Sequence, residues 1–203
     1  ETFEAENQTR VHGIITRGGV ATNAVPAEVV YEGRVRGRTM EAVDKVSARI
    51  EDCYRAGALA MGADLEIVAI PGYLPLENNP DMARVFSANV TAEFGADSLM
   101  VQADDVNAGG STDMGDLSQI MPALHPYVAA ADGAGHGIDY VIADYRRAVV
   151  DSAVSMALTV VDLLSDGASE ARGIIDFHEP ALTRQSYVDS QTTRLRKISY
   201  HGE

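Results

Sequence analysis

Glycine is packed so densely into two of three neighbouring stretches, with proline in the third, that no regular helix or strand can run through them. Gly109-Gly110-Ser111-Thr112-Asp113-Met114-Gly115-Asp116 is followed by Met121-Pro122-Ala123-Leu124-His125-Pro126 and then by Gly133-Ala134-Gly135-His136-Gly137. Each glycine loses more conformational entropy on ordering than an alanine would, so these stretches read as loops that bend sharply or approach something closely. They carry Asp113, His125 and His136, and the periodic segments around them read as the scaffold that presents these side chains.

Residues 10–16 and 27–36 are rich in β-branched side chains. The second stretch alternates Val29, Tyr31, Gly33 and Val35 against Glu28, Val30, Glu32, Arg34 and Arg36, which predicts a half-exposed antiparallel pair. The long loop between them carries Asn23, and Pro26 limits where the second strand can begin. Thr39 can cap a helix whose stripe is Val43, Val46, Ile50, Cys53 and Gly57, and residues 64–70 alternate as a third strand. Pro71-Gly72-Tyr73-Leu74-Pro75 stops both periods and marks a domain crossing. Asn79-Pro80-Asp81 then supplies an N-cap, a first-position proline and a first-turn acid. Met82, Val85, Phe86, Val90 and Phe94 form the stripe of that helix, which Gly95 ends. The strongest helical period runs from Ile138 to Ser165, with Gly167 as its stop. Residues 168–203 have no sustained period and five charges of each sign, so an extended tail is expected there.

Composition narrows the function classes. The 203 residues are 46% hydrophobic, enough for one large or two small domains with a core, and the net charge of -14 repels phosphate backbones and anionic membranes. No nucleic-acid or membrane partner is expected. No apolar run approaches the roughly 20 residues of a membrane helix, the first six residues are acidic where a signal peptide is basic, and the lone Cys53 reads as a small apolar residue in a reducing interior. A cytoplasmic location is the resulting expectation. Lysine occurs only at Lys45 and Lys197, which fits either a high-salt habitat or an arginine-favouring genome.

Several motifs are weak by spacing alone. Tyr127-Val128-Ala129-Ala130-Ala131 followed by the glycines at 133, 135 and 137 reads as a strand and a phosphate-type turn, but the last glycine arrives one residue early for a dinucleotide fingerprint and no second strand follows the helix. Ser111 lacks a strained nucleophile elbow, and a serine in a glycine-rich loop mostly caps backbone. Asp104-Asp105 and Asp116 read as solvated acids, while His178 and His201 fall in the expected tail.

In combination the motifs carry more. Val11-His12-Gly13-Ile14-Ile15-Thr16-Arg17-Gly18-Gly19, with Asn23, Val25-Pro26 and Arg36, resembles the lid (dimerisation) domain of the zinc amidohydrolases and dipeptidases of the aminoacylase family. Gly110 to Asp116, Pro122 and His125-Pro126-Tyr127 resemble the branch containing aminobenzoyl-glutamate hydrolase and β-alanyl-lysine dipeptidase. The resemblance implies an α/β fold in which a lid sandwich with an antiparallel sheet (1–70) precedes the C-terminal half of a zinc-exopeptidase-like catalytic domain (71–165), with 166–203 as the tail. It implies His136 as a metal ligand and His12 as the residue that reaches a neighbouring subunit's site. Asn23, Arg36, Ser111 and Thr112 become substrate contacts. The cofactor it implies is zinc, two divalent ions in the complete enzyme, with manganese or cobalt as alternatives.

The chain departs from the family pattern in having no His-x-Asp and no Glu-Glu. The expectation is therefore the C-terminal portion of a longer, homodimeric enzyme that hydrolyses an amide or dipeptide bond in a small carboxylate-bearing substrate, inactive without its N-terminal half. The alternative is a non-catalytic dimerisation or scaffold remnant.

Overall fold

Residues 7–101 and 111–202 are described by a computed structural model, in which helices accompany three small antiparallel sheets of two strands each. The chain divides into two units, one formed by residues 1–75 and 189–203 and the other by residues 76–188.

In the first unit β1 (Arg10–Arg17) and β2 (Val30–Arg36) pair as an antiparallel ribbon with Arg10 opposite Arg36, His12 opposite Arg34 and Gly13 opposite Gly33. The second strand starts at Val30, three residues later than its pattern predicts. Thr39 caps α1 (Met40–Ala60) by accepting the Ala42 amide, and the helix buries Ala42 and Val46. Cys53, expected in the apolar stripe, is exposed instead. A wide glycine slot on one ribbon face is filled by Tyr31: a Cβ at Gly13 would run into its hydroxyl, and its ring lies 5.5 Å from that of Tyr54 on α1.

The third strand forms as expected, β3 (Leu65–Ala69), but it joins neither ribbon strand. Its partner is β6 (Arg196–Tyr200), near the far end of the chain, in the register Leu65 to Tyr200 and Ala69 to Arg196. This overturns the extended tail. The charges that made residues 168–203 look solvated are the ones that fasten them. Arg194 pairs with Asp44 at 3.0 Å, Arg196 with Glu51 and Lys197 with Glu66 at 2.7 Å, so α1 and β3 both hold the returning segment.

In the second unit α2 (Pro80–Phe94) begins at the expected cap, Asn79 accepting the Met82 amide at 3.0 Å, and ends at Gly95. The strand predicted at 127–131 shrinks to β4 (Ala131–Asp132), which forms a hairpin with β5 (Val141–Ile142). Because Ile142 is taken up by that hairpin, the long helix does not start at Ile138. A wide, π-helical turn over Arg146–Asp151 leads into α4 (Ser152–Phe177). Gly167 does stop a helix, through left-handed backbone at Asp166, Gly167 and Ala168, but helix resumes after Ala168 and runs to Phe177. The 146–177 stretch is long and apolar enough, by length and composition alone, to cross a membrane, although it contains Asp162 and the break at 165–168. α5 (Arg184–Arg194) then leads to β6.

α2 packs on α4, with Asn89 donating to Asp162 at 2.8 Å and Arg84 paired to Glu170, and Val85, Val90 and Ile174 are buried. Much of α4 remains uncovered: Val160, Leu164 and Phe177 are 51%, 63% and 87% exposed.

Candidate functional site

The ribbon places its residues by alternation. Side chains two apart on a strand share a face, and residues opposite in register share it too. Val11, Val35, Gly13, Gly33, Ile15 and Tyr31 therefore line the face that meets α1 through Tyr31 and Tyr54. Arg10, Arg36, His12 and Arg34 form the opposite face, which turns away from the helix, with Ile14 and Glu32 continuing the row. His12 and Arg36, two of the residues named from the sequence, thus share one face, and Arg34 directly across from His12 is one that sequence reasoning missed. Only the register, not the local pattern, assigns that neighbour.

Asn23 sits in a turn of the loop joining the strands, where Ala24 donates to Ala21. Arg36 lies at the opposite, open end of the ribbon. Six residues of strand separate Val30 from Arg36, roughly 20 Å of extended chain, so within one copy the structure does not bring Asn23 beside Arg36.

On the helix-facing side, burial and then a hydrogen bond donated to Tyr31 push the Tyr54 phenol up to about 12. Both effects favour the neutral hydroxyl, so the pair acts as a packed, uncharged support beneath the ribbon.

The loops of the second unit are placed by hydrogen bonds rather than by period. Where the glycine-rich stretch predicted only a loop, a short helix forms, α3 (Met114–Ser118): Thr112 accepts the Met114 amide at 3.3 Å and its carbonyl accepts the Gly115 amide, which supplies the local bonds that start the turn despite Gly115. Ser118 is buried, donates to the Gly115 carbonyl at 2.7 Å and accepts the Glu77 amide at 3.0 Å. The His125 amide donates to Asn78 at 2.8 Å, the Asn79 amide donates to the Ala123 carbonyl, and the His125 ring stands edge-on to Tyr127 at 5.1 Å. Residues 77–79 thereby gather α2, α3 and the His125 loop, while Ser111 is exposed at the start of this loop. Asp104, Asp105, Gly109 and Gly110 lie outside the described residues.

His136 occupies the turn of the β4–β5 hairpin with φ of 64°, in the left-handed region. Histidine is among the few non-glycine residues enriched there, and such a conformation is held only where its surroundings over-determine it. Here they do: the Gly137 amide donates to the Ala134 carbonyl at 2.7 Å, and Gly133 approaches the Asp139 backbone so closely that a Cβ would collide with it. The turn lifts an exposed imidazole clear of the hairpin. Among the described residues, no group of three or more His, Cys, Asp or Glu lies close enough together to hold a metal ion. His136 is thus a single donor, and the described residues do not by themselves fit a dinuclear centre.

An Xaa-Arg dipeptidase from Mus musculus is 31% identical over 163 residues, covering 76% of this chain and 37% of that protein. The Homo sapiens Xaa-Arg dipeptidase is 30% identical over a stretch of similar extent. This chain is a relative of those dipeptidases. An N-acetyldiaminopimelate deacetylase from Leuconostoc mesenteroides is 39% identical over 67 residues, 32% of this chain, which adds a second amide-cleaving activity to the relationship. The chain spans little more than a third of the length of the dipeptidases it matches. No family model and no solved structure matches it. The resemblance to amidohydrolases and dipeptidases drawn from the motifs therefore holds, and hydrolysis of amide or peptide bonds is the chemistry of the chain's relatives.

Proposed function

We propose that this chain is the C-terminal portion of a longer, cytoplasmic metal-dependent amidohydrolase that cleaves an amide or dipeptide bond in a small carboxylate-bearing substrate. The observation that carries the proposal is the shared outward face of His12 and Arg36 in a chain related to dipeptidases and a deacetylase. The imidazole of His12 donates a hydrogen bond to the scissile carbonyl oxygen as negative charge develops on it. The Arg36 guanidinium holds the substrate carboxylate through a charge-assisted, two-pronged contact. Asn23, Ser111 and Thr112 complete the substrate contacts, and His12 acts in the site of a second copy across a lid-mediated homodimer. Residues 1–70 act as the lid and 71–165 as half of the catalytic domain. His136 is one zinc ligand, and the other donors come from sequence beyond the described residues.

The test is to express the gene product together with its upstream sequence and to assay N-acyl amino acids and dipeptides with defined zinc content. His12→Ala is expected to abolish turnover while sparing bound metal, and His136→Ala to lose both. Metal and hydrolysis unchanged in His136→Ala would refute the assignment.

A second reading is favoured by the lone donor at His136: a dimerisation or scaffold module without catalysis. A full-length protein that forms dimers in light scattering, binds no zinc and hydrolyses nothing would select it.

A further inference from the structure

Residues 194–197 hold three of the chain's 16 basic residues, and no acid falls between Ser190 and Gly202, although the whole carries a net charge of -14. The surface that receives this segment is acidic. Asp44 and Glu51 on α1 take Arg194 and Arg196, Glu66 on β3 takes Lys197, and Asp64 accepts the Gly202 amide at 3.1 Å. Arg55 on α1 adds a guanidinium over the Tyr200 ring, 4.9 Å from its centre. Each of the three ion pairs has at least one exposed side chain, and exposed pairs are individually weak and screened by salt.

We propose that this α1–β3 surface is a docking site for a basic strand and that it takes residues 194–202 of a second copy of the chain in exchange for its own. The charge pattern selects that partner. A second β3 would bring a further acid and no cation to the edge, whereas a second β6 supplies Arg196 and Lys197 in the register already formed, from Leu65 opposite Tyr200 to Ala69 opposite Arg196. Exchange forfeits no contact, because an identical segment makes the same ion pairs and the same ladder. The covalent path from Ala69 to Arg196 runs through residues 76–188, which form a unit of their own, so the strand and its receiving surface are joined only at long range. Swapping an identical element between copies needs no new interface, and release of the weakly held segment is the step that controls it. None of the residues involved lies on β1 or β2, so this association is separate from the lid-mediated dimer proposed above.

The experiment mixes isotope-labelled and unlabelled wild-type chains in high salt, returns them to low salt and records isotope-filtered NOEs between Ile67 and Ile198, which stand opposite in register. Contacts between labelled and unlabelled chains are expected, and their absence would overturn the inference. A charge reversal tests the partner choice. Chains carrying Asp44→Arg with Glu51→Arg, and chains carrying Arg194→Asp with Arg196→Glu, each repel their own segment, so hydrogen exchange in β3 is expected to rise about tenfold in either alone. An unchanged amide fingerprint of β1 and β2 shows that each variant still folds. Mixed one to one, the two variants are complementary in both directions, and heterodimers in which β3 regains its wild-type protection are expected. Undiminished protection in the separate variants, exchange in the mixture as fast as in its components, or heterodimers that leave β3 unprotected would overturn the inference.

Discussion

The two units bury different things. In the first, the buried residues are apolar, Ala42, Val46 and Leu74, and the candidate side chains ride on strands whose register is regular. In the second, Asn79, Ser118, Gln119, Ser155 and Thr159 are buried alongside the apolar residues, and several of them hold loops through hydrogen bonds to backbone. A strand positions a functional group by period and pairing, so one register fixes a whole face. A loop needs its own hydrogen bond for each turn, so its geometry depends on single groups.

The comparison breaks most sharply at the α2–α4 contact. Ile174 is 6% exposed and lines a groove with Asp81, Arg84 and Phe177. Ile174→Ala is expected to cost about 2–4 kcal/mol through lost burial and the cavity left behind. Hydrogen exchange should speed up in α2 and leave β1 and β2 unchanged; equal acceleration in both would mean that the units do not behave separately. On the ribbon, Gly13→Ala places a methyl group against the Tyr31 hydroxyl and the Glu32 carbonyl and is expected to cost about 1–3 kcal/mol. Its signature is loss of the Tyr31–Tyr54 contact in aromatic chemical shifts, with α2 unaffected.

The smallest effect is a pH dependence. Tyr54 is raised in the folded state to about 12 from an ordinary value of 10.0, so the native protein keeps a proton that the unfolded chain gives up. The stability this contributes is fully present below pH 10 and is lost as pH rises through 12. A denaturant series across that window should show the decline, and Tyr54→Phe should flatten it. A decline of the same steepness in Tyr54→Phe would assign the effect to other groups.

How much of this was legible depended on the range of each signal. Thr39, Asn79 and Gly95 were readable because a cap acts within a few residues of its helix. The ribbon was readable because its strands alternate and lie close in sequence. The pairing of β3 with β6 was not, because Ile198 and Tyr200 are the only half-buried positions in a five-residue strand whose partner is more than a hundred residues away. The start of α4 was misjudged because Val141 and Ile142 satisfy a helical period while their backbone groups pair in a hairpin. At the site, His12 and His136 could be named through resemblance. Arg34 became visible only once the strands were set side by side, and the hydrogen bonds from Asn78 and Ser118 only once the loops had closed.

The late return of β6 sets a schedule for synthesis. β3 is finished at Ala69, whereas its partner begins at Arg196, after the whole of the second unit has been made. At ribosomal rates of about 5–20 residues per second, the β3 edge waits roughly 6–25 s for its neighbour. During that interval Glu51, Glu66 and Asp44 have not yet met the arginines and lysine that arrive with the last segment. Over that interval Glu66 on the waiting strand, with Asp44 and Glu51 on α1, carries uncompensated negative charge, and charged side chains on an exposed edge disfavour edge-to-edge pairing.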